Sequence, residues 1–276
     1  MGCSASKKKV KKDNKNEKIQ QVFKKKEERI NEVFICEHAP PISEKVSEKL
    51  YNSIVRINLY LNGNRYIGTG FFLKLKINNK IMNFLISCYH IIEEKLVDKK
   101  IIITLYYGKF GQEKDFKIKL DRNKRYIKCF NKPIDVTLIE ILKEDNINEE
   151  KFLRFDWNYK EGYNLYLNDF FYLAGYPQIN NEDGRCISSG KMTKILDETE
   201  FEHSIDTYNG NSGSPICLAN NKLFVVGIHK EGNSFEPINY GTFIGYIVDI
   251  IQNEENNKKK GTKTKRKNYG YKMFKK

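Results

Sequence analysis

Residues 206–215 read DTYNGNSGSP, and this stretch is the one from which we predict the fold. Ser212 stands in a glycine-rich turn, with Gly210 two positions before it and Gly213 directly after it. Because glycine has no Cβ, the backbone here can turn tightly and come close to a substrate, with the serine hydroxyl exposed. The main-chain N–H groups of Gly210 and Ser212 are then candidates for an oxyanion hole. The stretch predicts a nucleophilic serine, which requires a base within hydrogen-bond reach.

Two earlier segments supply a candidate base and a candidate acid. The apolar run FLISCYHII contains His90, and the run PIDVTL places Asp135 directly before a strand pattern. An imidazole can take the proton of a serine hydroxyl, and a carboxylate can fix its tautomer and stabilise the imidazolium. We therefore predict a triad of Ser212 as nucleophile, His90 as base and Asp135 as orienter. Asp121 and Asp145 are the alternatives for the acid, but neither leads directly into an alternating apolar strand.

Short runs that alternate apolar and polar residues fill the body of the chain. Turn signals such as Asn-Gly, Asn-Asn and Asp-Gly separate them, and many short strands with few helices predict barrels or a sandwich. A polar, loop-like stretch near 143–162 is a possible division between two halves, and a short helix is predicted near 246–253. The clearest strand runs are 54–59, 71–77, 84–87, 101–106, 116–120, 136–141, 170–174, 223–228 and 242–244.

Together, these segments resemble the chymotrypsin-like (trypsin-fold) serine peptidases. The order His, Asp, Ser along the chain matches that family, and residues 68–72 (GTGFF) resemble the glycine-bearing strand that precedes its histidine. The resemblance covers about 50–250. It implies an all-β fold of two packed antiparallel six-stranded barrels, about 50–145 and 160–250, with the triad at their junction.

The nucleophile elbow of another hydrolase class does not fit this sequence. That turn needs Gly-x-Ser-x-Gly, whereas the last position here is Ser214. Its enzymes order the triad Ser, Asp, His, and no aspartate lies between Ser212 and His229.

No cluster of His, Cys and Asp has metal-ligand spacing, and no phosphate loop or cofactor fingerprint occurs. We therefore predict neither a metal nor a cofactor.

The sequence DTYNGNSGSP, together with the later VGIH, is most similar to the motifs of the glutamyl endopeptidase group. That similarity implies that Thr207 and His229 line the S1 pocket and bind an acidic P1 side chain through charge-assisted hydrogen bonds. Two alternatives stay open. Asp206 stands six positions before Ser212, where trypsin-like members carry the acid that selects Lys or Arg, and His229 could instead be a core residue.

One position in the same stretch indicates whether the enzyme needs activation by cleavage. Trypsin-like zymogens form the oxyanion hole when a new N-terminal amine pairs with an Asp just before the nucleophile, and Asn211 occupies that position here. We therefore predict an enzyme that folds in its active form. Glutamyl endopeptidases also use a free N-terminal amine in the pocket. An acylated Gly2 could not supply that amine, which counts against an acidic preference.

The excess positive charge lies in the two ends of the chain. The net charge is +14, of which residues 1–35 carry 11 basic and 5 acidic side chains and residues 252–276 carry 10 basic and 2 acidic. Residues 36–251 are balanced, with 28 of each sign. This distribution disfavours a nucleic-acid-binding face on the body and favours an anionic surface as the partner of the ends.

The N-terminus begins MGCSASKKK, which matches the pattern for N-myristoylation of Gly2, with Cys3 as a palmitoylation candidate. One acyl chain binds a membrane marginally, and the second acyl group or the following lysines would strengthen it. We assign 1–49 to a lipid-anchored, basic extension that includes an amphipathic helix over 17–34, and 251–276 to a basic flexible tail. The chain shows no export signal and its six cysteines form no CxxC pair, so we expect the last five to be reduced, mostly buried thiols. We place the protein on the cytosolic face of a membrane, not outside the cell.

Two functions compete on the sequence alone. The first is a serine endopeptidase that cuts protein or peptide substrates near a membrane, of which a soluble cytosolic peptidase is a variation. The second is a catalytically silent binding module on a peptidase fold, since fold does not fix function.

Overall fold

Strands make up most of the body of the chain, which confirms the all-β prediction. The structure, a computed structural model, describes residues 41–61, 64–108, 114–179, 182–233, 236 and 238–270. In chain order the strands are β1 (Ile54–Leu61), β2 (Asn64–Ile77), β3 (Lys80–Cys88), β4 (Ile102–Tyr107), β5 (Lys114–Lys119), β6 (Ile127–Phe130), β7 (Val136–Glu140), β8 (Leu153–Phe155), β9 (Phe170–Gly175), β10 (Gln178–Ile179), β11 (Glu182–Asp183), β12 (Cys186–Ile195), β13 (Glu200–His203), β14 (Pro215–Leu218), β15 (Phe224–Asn233) and β16 (Ile238–Phe243).

Helices are few in the described ranges. The α-helices are α1 (Glu44–Ser53), α2 (Glu94–Asp98) and α3 (Ile244–Gly270), and short 3-10 helices occur at Lys143–Asp145, Glu149–Lys151, Trp157–Glu161 and Tyr163–Tyr166. Among these residues, none of the helices is both long and apolar enough to cross a bilayer. The predicted helix over 17–34 and the acylation candidates Gly2 and Cys3 lie outside the described residues.

Two helices differ from the sequence-based expectations. Helix α1 begins inside the segment assigned to the N-terminal extension, and Val46 and Leu50 bury its apolar face in the core, so it is part of the packed body. Helix α3 continues well beyond residue 253, to Gly270. The sequence from 244 to 270 contains no proline, so the backbone can keep its helical hydrogen bonds throughout.

The C-terminal half forms a closed barrel of six antiparallel strands. Its strands follow the order β14, β9, β12, β13, β16 and β15, and pairing between β14 and β15 closes the ring. Phe201, Ile216 and Phe243 are fully buried in its interior. Closure leaves no open edge among the six strands of this ring.

The N-terminal half holds seven strands rather than the six that we expected. They follow the order β5, β4, β1, β2, β3, β7 and β6, and no pairing between β5 and β6 is found among the described residues. The additional strand is β6, a four-residue segment that pairs only with β7.

Strand β8 joins the halves at the point where we expected a polar division. It pairs in parallel with β2, with Leu153 opposite Leu73, and with β15, with Arg154 opposite Phe224. Leu153 and Phe155 point into the core while Arg154 is exposed. The two halves are therefore continuous through one 14-stranded sheet.

Candidate active site

Antiparallel pairing of β3 and β7 brings the predicted base and acid together. Cys88, the last residue of β3, pairs with Val136, the first residue of β7. His90 follows the end of β3 and Asp135 precedes the start of β7, so both lie at the same edge of the sheet. The Nδ1 atom of His90 lies 2.6 Å from Oδ2 of Asp135, and the main-chain N–H of His90 donates to Oδ1 at 2.9 Å.

The burial of the two side chains and the hydrogen bond between them suit His90 for the role of a base. The Asp135 side chain is fully buried, whereas 37% of the His90 side chain is exposed. Because Nδ1 donates to the carboxylate, a neutral His90 ring keeps its lone pair on Nε2, the atom from which it can accept a proton. Asp135 has a φ of +56°, a left-handed conformation that aspartate adopts more readily than most residues.

The nucleophile turn is held against strand β2 of the other half. The Thr69 N–H donates to the carbonyl of Ser212 at 2.9 Å, and the Thr69 hydroxyl donates to the carbonyl of Gly210 at 2.8 Å. Gly213 has a φ of +90° and donates its N–H to the carbonyl of His229 at 2.9 Å. These bonds fix the turn across the junction of the two halves.

Ser212 and His90 line the same cleft, which has a volume of about 490 Å³. Gly210, the other predicted oxyanion-hole residue, lines it too and has a φ of +98°. A side chain at 210 would meet the Tyr176 carbonyl oxygen at 2.4 Å, so the turn requires glycine there. The structure thus gathers His90, Gly210 and Ser212 around one opening, with Asp135 behind the imidazole.

The predicted specificity residues lie deeper. Thr207 and His229 are buried, and Nδ1 of His229 lies 3.1 Å from Nε2 of His203. Burial, and then the neighbouring His229, hold the pKa of His203 well below its usual range, so His203 is neutral. The Ile205 N–H donates to Nδ1 of His203 at 3.3 Å, so the proton of His203 resides on Nε2 and is donated to His229. A neutral His229 then carries its own proton on Nε2.

The main chain at Asp206 is hydrogen-bonded to strand β12. Its carbonyl accepts a hydrogen bond from the Ser188 hydroxyl at 2.5 Å. Burial first, and to a lesser degree the charge of Asp206, raise the pKa of the Cys186 thiol of β12. None of Asp206, Thr207 and His229 is among the described residues that line the cleft of Ser212.

One cluster of side chains has the composition of a metal site. The ligand atoms of Cys88, His90 and Asp135 lie within 4.8 Å of one another. However, His90 and Asp135 are bonded to each other, and the Cys88 thiol donates to the carbonyl of His229 at 3.3 Å. A thiol that donates its proton is not a thiolate ligand, so we assign no metal to this cluster.

Sequence reasoning missed three residues that support the site. Thr69 holds the nucleophile turn, His203 orients His229, and the buried Lys230 donates to the carbonyl of Pro133 at 3.0 Å, two residues before Asp135. Their partners are distant in sequence, and no local motif marks them, except that Thr69 belongs to the GTGFF run.

Comparisons with known proteins agree with this architecture. Residues 68–228 match the family described as the trypsin-like peptidase domain. The search of curated proteins returns no match. Among solved structures, the serine endoprotease from Yersinia pestis shares 12% identity, with a TM-score of 0.54, over 78% of this chain and 67% of that one.

Two further solved structures share the fold. The catalytically active tobacco etch virus protease complexed with product has 17% identity and a TM-score of 0.50, over 75% of this chain and 78% of the viral one. The protein Rv3671c from M. tuberculosis H37Rv, an inactive mutant form, has 14% identity and a TM-score of 0.51, over 78% of this chain and 94% of that one. The family match covers more than half of the chain, and the chain therefore belongs to the trypsin-like peptidase domain family and is a serine-type endopeptidase.

Proposed function

We propose that the enzyme cleaves peptide bonds through Ser212, His90 and Asp135. Ser212 Oγ attacks the peptide carbonyl while His90 Nε2 takes the hydroxyl proton. That proton then passes to the leaving amine, so an ester to Ser212 and a free amine result. Water, deprotonated by His90, hydrolyses the ester and returns the proton to Ser212. Asp135 stays ionised throughout and stabilises the imidazolium.

The N–H groups of Gly210 and Ser212 would stabilise the oxyanion formed in each half of this reaction. The observation that carries the proposal is the 2.6 Å bond between His90 and the fully buried Asp135, at the cleft that Ser212 also lines.

Replacement of the nucleophile tests this assignment. Ser212→Ala is expected to lower kcat by on the order of 10⁴-fold or more and to abolish labelling by a fluorophosphonate. Ser47→Ala, which removes a hydroxyl from α1, serves as the matched control and is expected to retain both. Cleavage that persists in Ser212→Ala would remove Ser212 from the mechanism. A wild-type enzyme that the probe never labels would favour the silent binding module.

For specificity, we propose an acidic P1 residue. Two donors support it: the Nε2–H of a neutral His229, oriented by His203, and the Thr207 hydroxyl, whose buried oxygen has no hydrogen-bond partner among the described residues. A carboxylate can accept from both. Profiling with a peptide library tests this, because cleavage only after Lys or Arg would assign the pocket to Asp206 instead.

For location, we propose that the N-terminal extension tethers the enzyme to the cytosolic face of a membrane. The support is the MGCSASKKK start and the charge of the first 35 residues. Gly2→Ala is expected to abolish incorporation of labelled myristate and to shift the protein to the soluble fraction of a cell lysate. An unchanged distribution between fractions would contradict the tether while leaving the peptidase chemistry intact.

A further inference from the structure

A second cavity, of about 970 Å³, shares no lining residue with the active cleft. It lies between the N-terminal end of α1, strand β8 and the turn that leads into β15. Five cations line it, against two carboxylates. The cations are Lys45, Lys49, Lys74, Arg154 and Lys222, and the carboxylates are Glu149 and Glu150.

Only part of this positive charge is neutralised within the described residues. Lys74 forms an ion pair with Glu149, which also accepts a hydrogen bond from Asn83 at 3.0 Å. Lys45, Arg154 and Lys222 are exposed, and none of them has an ion-pair partner in the described part of the chain. Glu150 is the one remaining carboxylate of the lining, so the cavity keeps a positive excess.

Lys49 is held in the wall of the cavity, close to other cations. Its half-buried ammonium donates to the carbonyl oxygens of Glu150 and Phe152, the latter at 3.0 Å, and is thereby fixed in the cavity wall. Burial, and then the nearby charge of Arg154, lower the pKa of Lys49. Crowded like charges of this kind destabilise the folded chain unless an anion lies among them.

The crowding continues at the rim beside the cavity. Burial, and then the charges of Lys114 and Arg185, lower the pKa of Lys151. A multivalent anion in the cavity would offset the like charges around Lys49. Ammonium and guanidinium groups recognise phosphate oxygens through short, charge-assisted hydrogen bonds.

We propose that this cavity binds the phosphorylated headgroup of an anionic membrane lipid. The choice of a lipid follows from the path of the chain. Ser43, the N-cap of α1, lines the cavity, so the extension that carries the acylation pattern joins the body at this rim. The inference rests on the proposed tether. A headgroup bound here would give the enzyme a second attachment to the same surface, where the acyl chain holds it at high effective concentration.

The experiment compares two triple variants that lose the same charge. Lys45→Gln/Arg154→Gln/Lys222→Gln removes exposed cavity cations, whereas Lys99→Gln/Lys124→Gln/Lys143→Gln removes exposed lysines elsewhere. All proteins also carry Gly2→Ala and Cys3→Ala, so that neither acylation candidate contributes. Co-sedimentation is measured with phosphatidylcholine vesicles that contain phosphatidylinositol bisphosphate, and inositol trisphosphate is added as the soluble competitor.

The cavity variant is expected to bind these vesicles about tenfold or more weakly than the parent, and the control triple variant to bind as the parent does. Soluble inositol trisphosphate should displace the parent and the control variant from the vesicles. It should not change the remaining vesicle binding of the cavity variant. Equal losses in both triple variants would show a general charge effect and overturn the proposal. Tight trisphosphate binding without vesicle binding would reassign the cavity to a free phosphate compound.

Cleavage of a soluble peptide is measured in parallel on every variant. Because the cavity and the active cleft share no lining residue, cleavage is expected to stay at the parent level. Failure of lipid binding with intact cleavage would therefore count against the cavity alone, and loss of cleavage in Ser212→Ala concerns the active site alone.

Discussion

At the scale of single residues, Gly213 meets two separate requirements of the nucleophile turn. Its φ of +90° strains any residue with a Cβ, and a Cβ at this position would lie 2.0 Å from the carbonyl oxygen of Thr69. In Gly213→Ala the turn must therefore move away from β2 and carry Ser212 with it. We expect kcat to fall by about 10²-fold, since displacements near 1 Å at a reacting group have effects of this size.

The matched control for this prediction is Gly162→Ala. Gly162 also has a positive φ, +112°, but nothing lies within 4 Å of a Cβ placed there. Strain alone predicts a loss of about 1–3 kcal/mol in the free energy of unfolding and an unchanged kcat. If both alanine variants reduce kcat equally, the contact with Thr69 does not position the nucleophile.

The buried histidine pair predicts a pH-dependent stability. The pKa of His203 is lowered by burial in the folded chain, whereas in the unfolded chain it is ordinary, near 6.5. Below that pH the unfolded state binds more protons, so the contribution of neutral His203 is present above about pH 6.5 and is lost as the pH falls towards the folded pKa.

The measurement is the free energy of unfolding at several pH values between 7.5 and 5. His203→Gln keeps an N–H donor but does not titrate, so its curve should fall less steeply than that of the wild type, by at most about 1.4 kcal/mol per pH unit. Parallel curves for the two proteins would show that His203 does not remain neutral in the folded state.

Residue chemistry explains which site positions the sequence could predict. Ser212, Gly210, His90 and Asp135 stand in local patterns that are typical of their roles, and the structure gathers them. Thr69, His203 and Lys230 act through partners 141, 26 and 97 residues away, respectively. A contact of that kind depends on strand pairing, which a single sequence does not reveal.

At the scale of elements, strands of the C-terminal barrel hold the segment of the N-terminal half that carries Asp135. Lys230 of β15 donates to the Pro133 carbonyl at 3.0 Å and pairs with Glu200 of β13, while the Thr242 hydroxyl of β16 donates to the Ile134 carbonyl at 2.7 Å. The C-terminal barrel therefore positions an acid that belongs to the N-terminal half.

Lys230→Met removes the ammonium but keeps an apolar chain of similar length. We expect kcat to fall about tenfold or more, because Asp135 orients His90 and its segment loses this hydrogen bond. Lys194→Met, which breaks the exposed pair with Glu202, is the control and should keep kcat at the wild-type value. A Lys230→Met enzyme that is merely less stable, with normal kcat well below its Tm, would assign Lys230 a structural role only.

Element prediction succeeded where apolar alternation was long and failed where it was short. The runs in β1, β2, β4 and β7 are visible in the sequence as apolar residues at alternating positions. Strand β8 has three residues and β13 has four, too few to show a period. Helix α1 escaped notice because only Val46 and Leu50 of its apolar face are deeply buried.

At the scale of the whole molecule, the active site requires both halves at once. His90 and Asp135 come from the N-terminal half and Ser212 from the closed barrel. Strand β8 pairs with both halves, and Thr69 bonds across the junction to the nucleophile turn. Because the site lies at this junction, activity requires both halves to be folded. Unfolding of either half alone would therefore abolish activity.

Trp157 allows this cooperativity to be measured, because it is the single tryptophan of the chain and lies just after β8. Its ring packs edge-on against Phe155, with centroids 4.9 Å apart, so its fluorescence reports the strand that joins the halves. In a denaturant titration we expect tryptophan fluorescence, far-ultraviolet circular dichroism and peptide cleavage to be lost at one common midpoint, as two-state unfolding requires. The unfolding of Ser212→Ala, monitored by the two optical signals, should have the same midpoint, because the substitution removes the nucleophile and leaves the junction between the halves unchanged. Cleavage that disappeared well before the fluorescence change would mean that the N-terminal half opens by itself, and pairing through β8 would then not couple the two halves.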